Sequence, residues 1–420
     1  MDDGGRVLST DTASDLQPQT KQVQNKQPPV SKPKPQRQLI LELIAISGEY
    51  PASNIHRLIP SASYAQKIIT ALLGEKLLKA ANRHDIKGYR LALKAKRMLL
   101  ADNPERFVDY LEGAAVTNRI RSEAQRRLRL HSAAEVITLM HNAGVRIFTD
   151  TKPKVSMPDA FTDLSQTALS QPAFEVGSAI IAPCFYQTKG HNGEHEKSKD
   201  ISSSRAIGTL LTPTHVYTVY NTSGKISRWS ASIEVTFRVK VQDYLCRKLL
   251  YSQYNGRETE AVMIGESPEI LLKYLQPGKK PKTGFELFTE TYRHFYFITN
   301  DDYGDATLEL LCNTTQMSLL KAALKKKFLP SDIKYPIEHD ALTEDGNPVL
   351  FCCLLNVPRL VKFKTGIRLH NKNGKVVAFD FQSDALREYL GGKVEIKAID
   401  FETVMEWLSQ QSRKGLVPCE

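Results

Sequence analysis

Three charged residues near the end of the chain have the types and the spacing that phosphodiester cleavage can use. Asp380 lies in the run AFDFQ, and Glu395 and Lys397 form an E-x-K pair in the run VEIKAID. Two carboxylates on neighbouring strands can hold Mg²⁺, and a lysine beside them can polarise the attacking water. These residues define one hypothesis for the chain, a Mg²⁺-dependent nuclease.

The sequence between these residues argues against catalysis. An acid followed by E-x-K is the arrangement of restriction-endonuclease-like folds, but those folds usually join the two strands directly, whereas here SDALREYLGG intervenes. An exposed strand with alternating charges also produces E-x-K without a catalytic role. We therefore favour a protein that is not an enzyme and that needs no metal or other cofactor, with Mg²⁺ kept for the nuclease alternative alone.

Two further motifs match chemical patterns only formally. The run HNGEH at 191–195 has the H-x-x-E-H order of some zinc proteases, but Gly190 and Gly193 and the polar residues around them indicate a loop rather than the required helix. The acidic run NDDYGD at 300–305 is too short for a calcium-binding EF-hand loop. We predict instead a hairpin turn between the runs HFYFIT and ATLELLC.

The positive charge of the protein is concentrated in one region. The net charge is +11, and residues 31–130 hold 19 Lys and Arg against 9 Asp and Glu, which leaves the rest nearly neutral. A localised basic surface suits contact with a phosphate backbone, because each neutralised phosphate releases counterions. The alternative is a solvated helical face without a partner.

Residues 35–95 carry the patterns of three short helices. The first helix ends at Gly48, the second is capped by Ser53 and stopped by Pro60, and the third ends at Gly74. Ser61 or Ser63 caps the third helix, whose inward side chains are predicted to be Ala65, Ile68, Ile69, Leu72 and Leu73.

Two apolar-rich runs follow, on either side of a turn containing Asp85 and Gly88, and they predict a hairpin. Three helices and a hairpin in this order resemble a winged helix-turn-helix domain, in which the third helix enters the DNA major groove and the hairpin is the wing. The third helix would present Ser63, Tyr64, Gln66, Lys67 and Thr70. The wing would present Arg83, His84, Lys87 and Arg90. Winged helices also serve as protein-binding adaptors, which is a second alternative.

Residues 96–150 read as a basic helical segment that is broken near Asn103 and Pro104. Five arginines stand against the single acid Glu123 in the stretch 119–129: Arg119, Arg121, Arg126, Arg127 and Arg129. This segment either continues the nucleic-acid face, with Arg126 and Arg127 in contact, or is an exposed linker helix. Its apolar residues Val136, Ile137, Leu139 and Met140 need cover from a core or from a dimer partner.

The patterns in the rest of the chain predict an α/β domain, and the composition of the N-terminus predicts a disordered tail. Residues 151–420 alternate short β-rich runs with helices, which indicates a mixed sheet, and a degenerate restriction-endonuclease-like domain is one form of it. Residues 1–34 contain no aromatic side chain and are predicted to be disordered. The fold class is therefore α+β and multidomain.

Scattered cysteines, the polar N-terminus and the lack of a long apolar run predict a cytoplasmic protein without disulfides.

The domain order resembles winged-helix proteins of Gram-positive plasmids and integrative mobile elements, the replication-relaxation group. The resemblance rests on ASYAQKIITALLGEKLLKA with the wing that follows, and on the strands THVYTVYN and VVAFDFQ. It implies binding of double-stranded DNA in the replication, transfer or transcription control of such an element. We expect an accessory or regulatory protein whose C-terminal domain binds a partner protein or self-associates as a homodimer.

Overall fold

The computed structural model describes residues 35–113, 123–153, 179–188, 204–226, 228–242, 251–276, 284–285, 291–331 and 336–413. Three predictions concern other residues and lie outside this description: the tail 1–34, the loop at 191–195, and the side chains of Arg119 and Arg121. The chain from Gln36 onward forms one unit.

The N-terminal part begins with two helices joined by a short strand and a turn. Helix α1 (Gln36–Ser47) ends as predicted at Gly48, whose φ of +80° is left-handed and free of strain for glycine. Strand β1 (Tyr50–Pro51) and a 3-10 turn (Ala52–Arg57) then lead to helix α2 (Ala62–Gly74). The predicted second helix is this 3-10 turn, and Ser53 lies inside it rather than at its cap, because too few residues separate β1 from Pro60 for an α-helix.

A hairpin follows α2 and completes a three-stranded antiparallel sheet. Strands β2 (Leu78–Arg83) and β3 (Ile86–Leu91) pair in the sheet order β1-β3-β2. The turn consists of His84 and Asp85, whose φ angles of +57° and +58° suit the right-handed twist of a hairpin. The predicted turn was therefore right for Asp85 and wrong for Gly88, which lies inside β3.

Three helices connect this part to the larger sheet. They are α3 (Leu93–Asp102), α4 (Pro104–Leu111) and α5 (Ala124–Asn142). The predicted break occurs at Asn103, whose side chain caps α4 by accepting a hydrogen bond from the backbone N of Arg106 at 3.0 Å.

The remainder of the described chain contains two sheets and the helices between their strands. Six strands form the larger one: β4 (Cys184–Gln187), β5 (Ala206–Leu211), β6 (Val216–Ser223), β7 (Glu260–Gly265), β8 (Phe295–Thr299) and β11 (Leu355–Asn356). Four strands form the smaller one: β9 (Ala341–Leu342), β10 (Pro348–Phe351), β12 (Gly374–Phe379) and β13 (Val394–Ile399).

Both sheets mix parallel and antiparallel pairs, as the sequence predicted. The larger sheet has the order β11-β8-β7-β6-β5-β4, and β6, β7 and β8 run parallel. The smaller sheet has the order β13-β12-β10-β9, with β10, β12 and β13 parallel. The chain is thus an α+β protein with mixed sheets.

Helices α6 to α13 alternate with these strands. They are α6 (Ala231–Val241), α7 (Tyr251–Tyr254), α8 (Pro268–Leu275), α9 (Asp302–Cys312), α10 (Thr314–Lys325), α11 (Val357–Leu369), α12 (Ser383–Leu390) and α13 (Phe401–Arg413). Residues 243–250, between α6 and α7, lie outside the description.

One predicted strand is helical. The hairpin turn predicted at 300–305 is the start of α9, because the Asp301 carboxylate caps the helix by accepting from the backbone N of Gly304 at 2.8 Å. The run ATLELLC therefore continues as a helix rather than a strand. The apolar run NPVLFCCLLNVPRLVKF forms β10 and β11 in its first half, and Pro358 then occupies the first turn of α11.

One hydrophobic core extends from the N-terminal helices into the larger sheet. It includes Ile44 of α1, Ile137 of α5, Tyr217 of β6, Val262 of β7 and Leu308 of α9. The apolar side chains of α5 that needed cover are therefore buried by the protein's own core. This core crosses both predicted domain boundaries, at 95 and at 150.

Polar contacts reinforce the same junction. Arg57 Nη2 lies 2.6 Å from the Asp305 carboxylate at the start of α9, and Asn142 Nδ2 donates to the same carboxylate at 2.9 Å. Across the described ranges, no helix is both long and apolar enough to span a bilayer.

Candidate nucleic-acid interface

Helix α2 has one buried side and one polar, exposed side. Four of its predicted inward residues are buried and Leu73 is half-buried: Ala65, Ile68, Ile69 and Leu72 are the buried set. All five side chains predicted to face DNA are exposed: Ser63, Tyr64, Gln66, Lys67 and Thr70. The helix thus offers a row of hydrogen-bonding side chains, in which Gln66 Nε2 donates to Thr70 Oγ1 at 3.2 Å.

The exposed side of α2 begins with an aromatic ring. Tyr64, near the N-terminal end, is 49% exposed although tyrosine carries a large apolar ring. Ser61 precedes the helix at the N-cap position, where its backbone carbonyl accepts from the backbone N of Ala65 at 2.8 Å but its side chain makes no capping hydrogen bond. The N-terminal end of α2 therefore presents a ring and a hydroxyl-rich turn to solvent.

The tip of the hairpin is basic and exposed. Arg83 ends β2, His84 is in the turn and Lys87 is near the start of β3, and all three side chains are exposed. Cross-strand pairing places Arg83 opposite Ile86, and Asn82 opposite Lys87. The three predicted wing-tip residues therefore share one end of the hairpin.

Arg127 is the residue for which the prediction of nucleic-acid contact is wrong. Its side chain is only 1% exposed and donates to Glu49 and to the hairpin backbone. Nη1 donates to the carbonyl of Arg83 at 2.6 Å, and Nη2 donates to the carbonyl of Ile86 at 3.0 Å and to that of Ala81. Because all these donors are used inside the protein, Arg127 holds the hairpin on α5 instead of meeting a phosphate.

Glu49 is the acid at the centre of this contact. Its side chain is fully buried, and it also accepts from Arg90 Nε at 2.8 Å and lies 2.8 Å from His131 Nε2. Burial alone would raise the pKa of Glu49, but the hydrogen bonds from His131, Arg127 and Arg90 together hold it at about 2. The carboxylate is therefore ionised and stabilises the cations around it.

Arg90 is consequently drawn towards the protein interior. Its side chain is 20% exposed and forms an ion pair with Glu49 at 2.6 Å, whereas it was predicted to lie on the DNA side of the wing. Arg126, the neighbour of Arg127 on α5, is the opposite case. It is 55% exposed and pairs with Glu123, which is 65% exposed, at 3.1 Å, so it remains on the surface.

Sequence reasoning missed Glu49, His131 and the further cations beside α2. Lys94 Nζ lies 3.4 Å from the carbonyl of Glu75, which places it at the C-terminal end of α2, and Lys79 is exposed on β2. The lysines belong to the basic region that the charge count revealed. No spacing pattern could link Glu49 to Arg127, because 78 residues separate them.

The structure does not bring Asp380, Glu395 and Lys397 together. In the parallel pair β12–β13, Glu395 lies beside Lys375 and Lys397 beside Val377, whereas Asp380 follows the end of β12. Five residues of strand separate the level of Glu395 from Asp380, which is about 16 Å. Glu395 forms an ion pair with Lys375 at 3.0 Å, and Lys397 lies over the ring of Phe328.

These three side chains therefore do not share one metal ion. Among the residues that the structure describes, no group of three His, Cys, Asp or Glu side chains is arranged to hold one elsewhere either.

Comparisons with protein-family models, with characterised proteins and with solved structures find no match to this chain.

Proposed function

We propose that residues 36–91 form a winged helix-turn-helix that binds double-stranded DNA, and that the protein is an accessory or regulatory factor of a plasmid or mobile element. The order helix, strand, turn, helix, hairpin and the sheet order β1-β3-β2 support this proposal. In such a domain α2 is the recognition helix and the hairpin is the wing.

The observation that carries the proposal is the division of α2 into a buried apolar side and an exposed polar side. Gln66 can read a base edge through its amide, Lys67 can meet a phosphate, and Tyr64 stands where the helix would enter the groove. If the exposed side of α2 met only water, it would need neither an aromatic ring nor an amide there. Charged side chains would keep that side in solvent equally well.

The wing adds a second contact region that is held in place from behind. Arg83, His84 and Lys87 can reach phosphates or the neighbouring minor groove, where positive side chains are favoured. Arg127 binds the carbonyls of the hairpin from the other side, so the wing keeps its position before DNA arrives. Pre-organisation of this kind lowers the entropic cost of binding.

The remaining parts of the function follow the same proposal. The α/β part with its two sheets binds a partner protein or a second copy of the chain, and a dimer would match a palindromic DNA site. The protein acts in the cytoplasm, in replication, transfer or transcription control of the element.

The test is binding of the purified full chain to DNA fragments from its own genetic neighbourhood, at two salt concentrations, with and without Mg²⁺. Retention of one fragment, weakened by salt and without cleavage, is expected. Cleavage that requires Mg²⁺ would make the protein a nuclease, and lack of salt-dependent affinity for every duplex would leave the protein-binding adaptor.

A further inference from the structure

A second polar cluster lies where three interior strands of the larger sheet begin, on the face that packs against the core. His215 directly precedes β6, Glu260 is the first residue of β7, and His294 directly precedes β8. Because these strands are parallel neighbours, the three residues meet at one end of the sheet. The backbone N of Ala261 donates to the carbonyl of His294 at 3.1 Å, which fixes this alignment.

Two buried oxygen atoms in this cluster receive no hydrogen bond from any described residue. They are Oε2 of Glu260 and Oδ1 of Asn356, on side chains that are 8% and 7% exposed. Strand β8 lies between β7 and β11, so the two side chains flank His294, whose Nδ1 lies 2.8 Å from Asn356 Nδ2. Buried acceptors are normally paired, so these two atoms can accept hydrogen bonds from a ligand that brings donors.

Aromatic rings line the same cluster. The ring of His215 stacks with that of Tyr217 at 5.8 Å, and the ring of His294 stacks with that of Tyr296 at 6.2 Å. The two tyrosine rings meet edge to face at 6.2 Å between centroids. His215, His294 and Tyr296 are only half-buried, so the cluster reaches the protein surface.

The surface around the cluster is positive. Arg257, Arg293 and the α10 residue Lys321 are exposed and act electrostatically on the buried Glu260. Burial, together with the charges of Arg293, Arg359 and Lys321, holds the pKa of His294 at about 4, so its imidazole is neutral near pH 7. Cations at the rim, neutral rings inside and acceptors at the base would suit a ligand with an anionic end and a flat, donor-rich end.

We propose that this cluster binds a guanine nucleotide, either free or within a single strand. The guanine edge carries two adjacent N–H donors, which match the two oxygens of the Glu260 carboxylate, with Asn356 Oδ1 as a further acceptor. The base lies against the half-buried ring of Tyr296, and its phosphate meets Lys321 and Arg293. Adenine does not present two adjacent donors and fits this carboxylate less well.

The site is separate from α2 and the wing, so this proposal goes beyond duplex binding and does not depend on it. Variants of Lys67 and Gln66 should leave nucleotide binding unchanged, and variants of Glu260 should leave binding to a duplex fragment unchanged. The two proposals can therefore fail independently.

The test is calorimetric titration of the full chain with guanosine 5′-monophosphate, adenosine 5′-monophosphate and inorganic phosphate. The guanine nucleotide should bind about tenfold more tightly than the adenine nucleotide, as expected for a bidentate base contact. Glu260→Gln should weaken guanine nucleotide binding by about tenfold, while the exposed neighbour variant Glu258→Gln should not. Equal affinity for the two nucleotides, binding of neither, or an unchanged Glu260→Gln affinity would overturn the proposal.

Two further arms complete this experiment. An oligothymidine that contains a single guanine, compared with oligothymidine alone, distinguishes a base within a strand from a free nucleotide. If Glu260→Gln does not fold, Lys321→Ala takes its place and should weaken phosphate-dependent affinity by about threefold to tenfold, against the exposed control Lys273→Ala on α8. An unchanged affinity in Lys321→Ala would then count against the phosphate contact and the site.

Discussion

Arg127 Nη2 lies 2.6 Å from Glu49 Oε1, and both side chains are almost completely removed from solvent. The same guanidinium donates to the carbonyls of Arg83 and Ile86 on either side of the hairpin turn. The pair therefore joins α5 to the loop after α1 and to the hairpin at a single point.

Loss of the Arg127 side chain should be costly, because it leaves a buried carboxylate with fewer partners and removes one donor from each of three hairpin carbonyls. We expect Arg127→Ala to lower the free energy of unfolding by about 3–5 kcal/mol. Urea denaturation would measure this loss. The adjacent, exposed variant Arg126→Ala is the matched control and should change the value by less than about 0.5 kcal/mol. Similar losses in both variants would contradict the role assigned to Arg127.

Gly88 should tolerate no side chain, although its φ is not in the left-handed region. A Cβ at this position would lie 2.7 Å from Glu49 Oε1 and 2.8 Å from His131 Nε2, both of which are fixed by the buried cluster. Gly88→Ala should therefore destabilise the protein by about 1–3 kcal/mol. Thermal unfolding would measure this loss, with Gly74→Ala at the end of α2 as the control, which should be neutral or slightly stabilising because a Cβ there meets nothing within 4 Å.

Two substitutions in the hairpin turn should increase the stability of the protein. His84 and Asp85 both have positive φ, a conformation that Asn-Gly adopts more easily. The double variant His84→Asn, Asp85→Gly should raise the free energy of unfolding by about 0.5–1 kcal/mol. If the wing contacts DNA through His84, the same variant should lose affinity while gaining stability. A loss of stability would show that the turn is held by contacts other than its own backbone.

Lys67 should contribute one ion pair to DNA binding if α2 is the recognition helix. Lys67→Ala should weaken binding modestly and reduce the slope of log affinity against log salt by about one. Fluorescence anisotropy with the retained fragment would give both values, with the exposed lysine variant Lys362→Ala on α11 as the control. An unchanged affinity and slope in Lys67→Ala, Gln66→Ala and Arg83→Ala together would remove the recognition role.

Glu260 should make the stability depend on pH. Burial raises the pKa of Glu260 to about 7 in the folded protein, against 4.5 for an unperturbed glutamate, so the ionised form opposes folding. This cost is nearly absent at pH 4.5, grows as the pH rises towards 7 and is complete above it, at about 3 kcal/mol. Glu260→Gln should therefore stabilise the protein at pH 8 and have almost no effect at pH 4.5.

The control for this experiment is Glu258→Gln, whose carboxylate is exposed. Its effect on the urea midpoint should be small at both pH values. If Glu260→Gln had the same effect at pH 4.5 and at pH 8, the carboxylate of Glu260 would not be the group that titrates.

The parts of the fold that local patterns determine were predictable. The helical period of Ala65, Ile68, Ile69 and Leu72 specified both the helix and its buried side, because a single face of α2 packs on one core. The prediction of a strand for the run ATLELLC was wrong because its residues suit strand and helix alike. The capping contact of Asp301 favours the helix. That contact depends on a side-chain geometry that alternating hydrophobicity does not encode.

The candidate interface was predictable only where its residues act alone. Gln66 and Lys67 point outward because of their position on one helix, and periodicity shows this. Arg127 was misassigned because its charge resembles that of Arg126, and only the distant Glu49 separates the buried arginine from the exposed one. Glu260 and Asn356 gave no signal, since their proximity arises from the order of three strands.

The core that runs from α1 through α5 into the larger sheet makes the N-terminal part a poor candidate for exchange between proteins. A gene fusion that transplanted residues 36–91 alone would strip the apolar side of α1 and the hairpin of the α5 surface that covers them, and would leave Glu49 without Arg127 and His131. If the protein binds DNA as proposed, a different DNA preference should therefore arise by substitution on the exposed side of α2, with the buried joint to α5 kept intact.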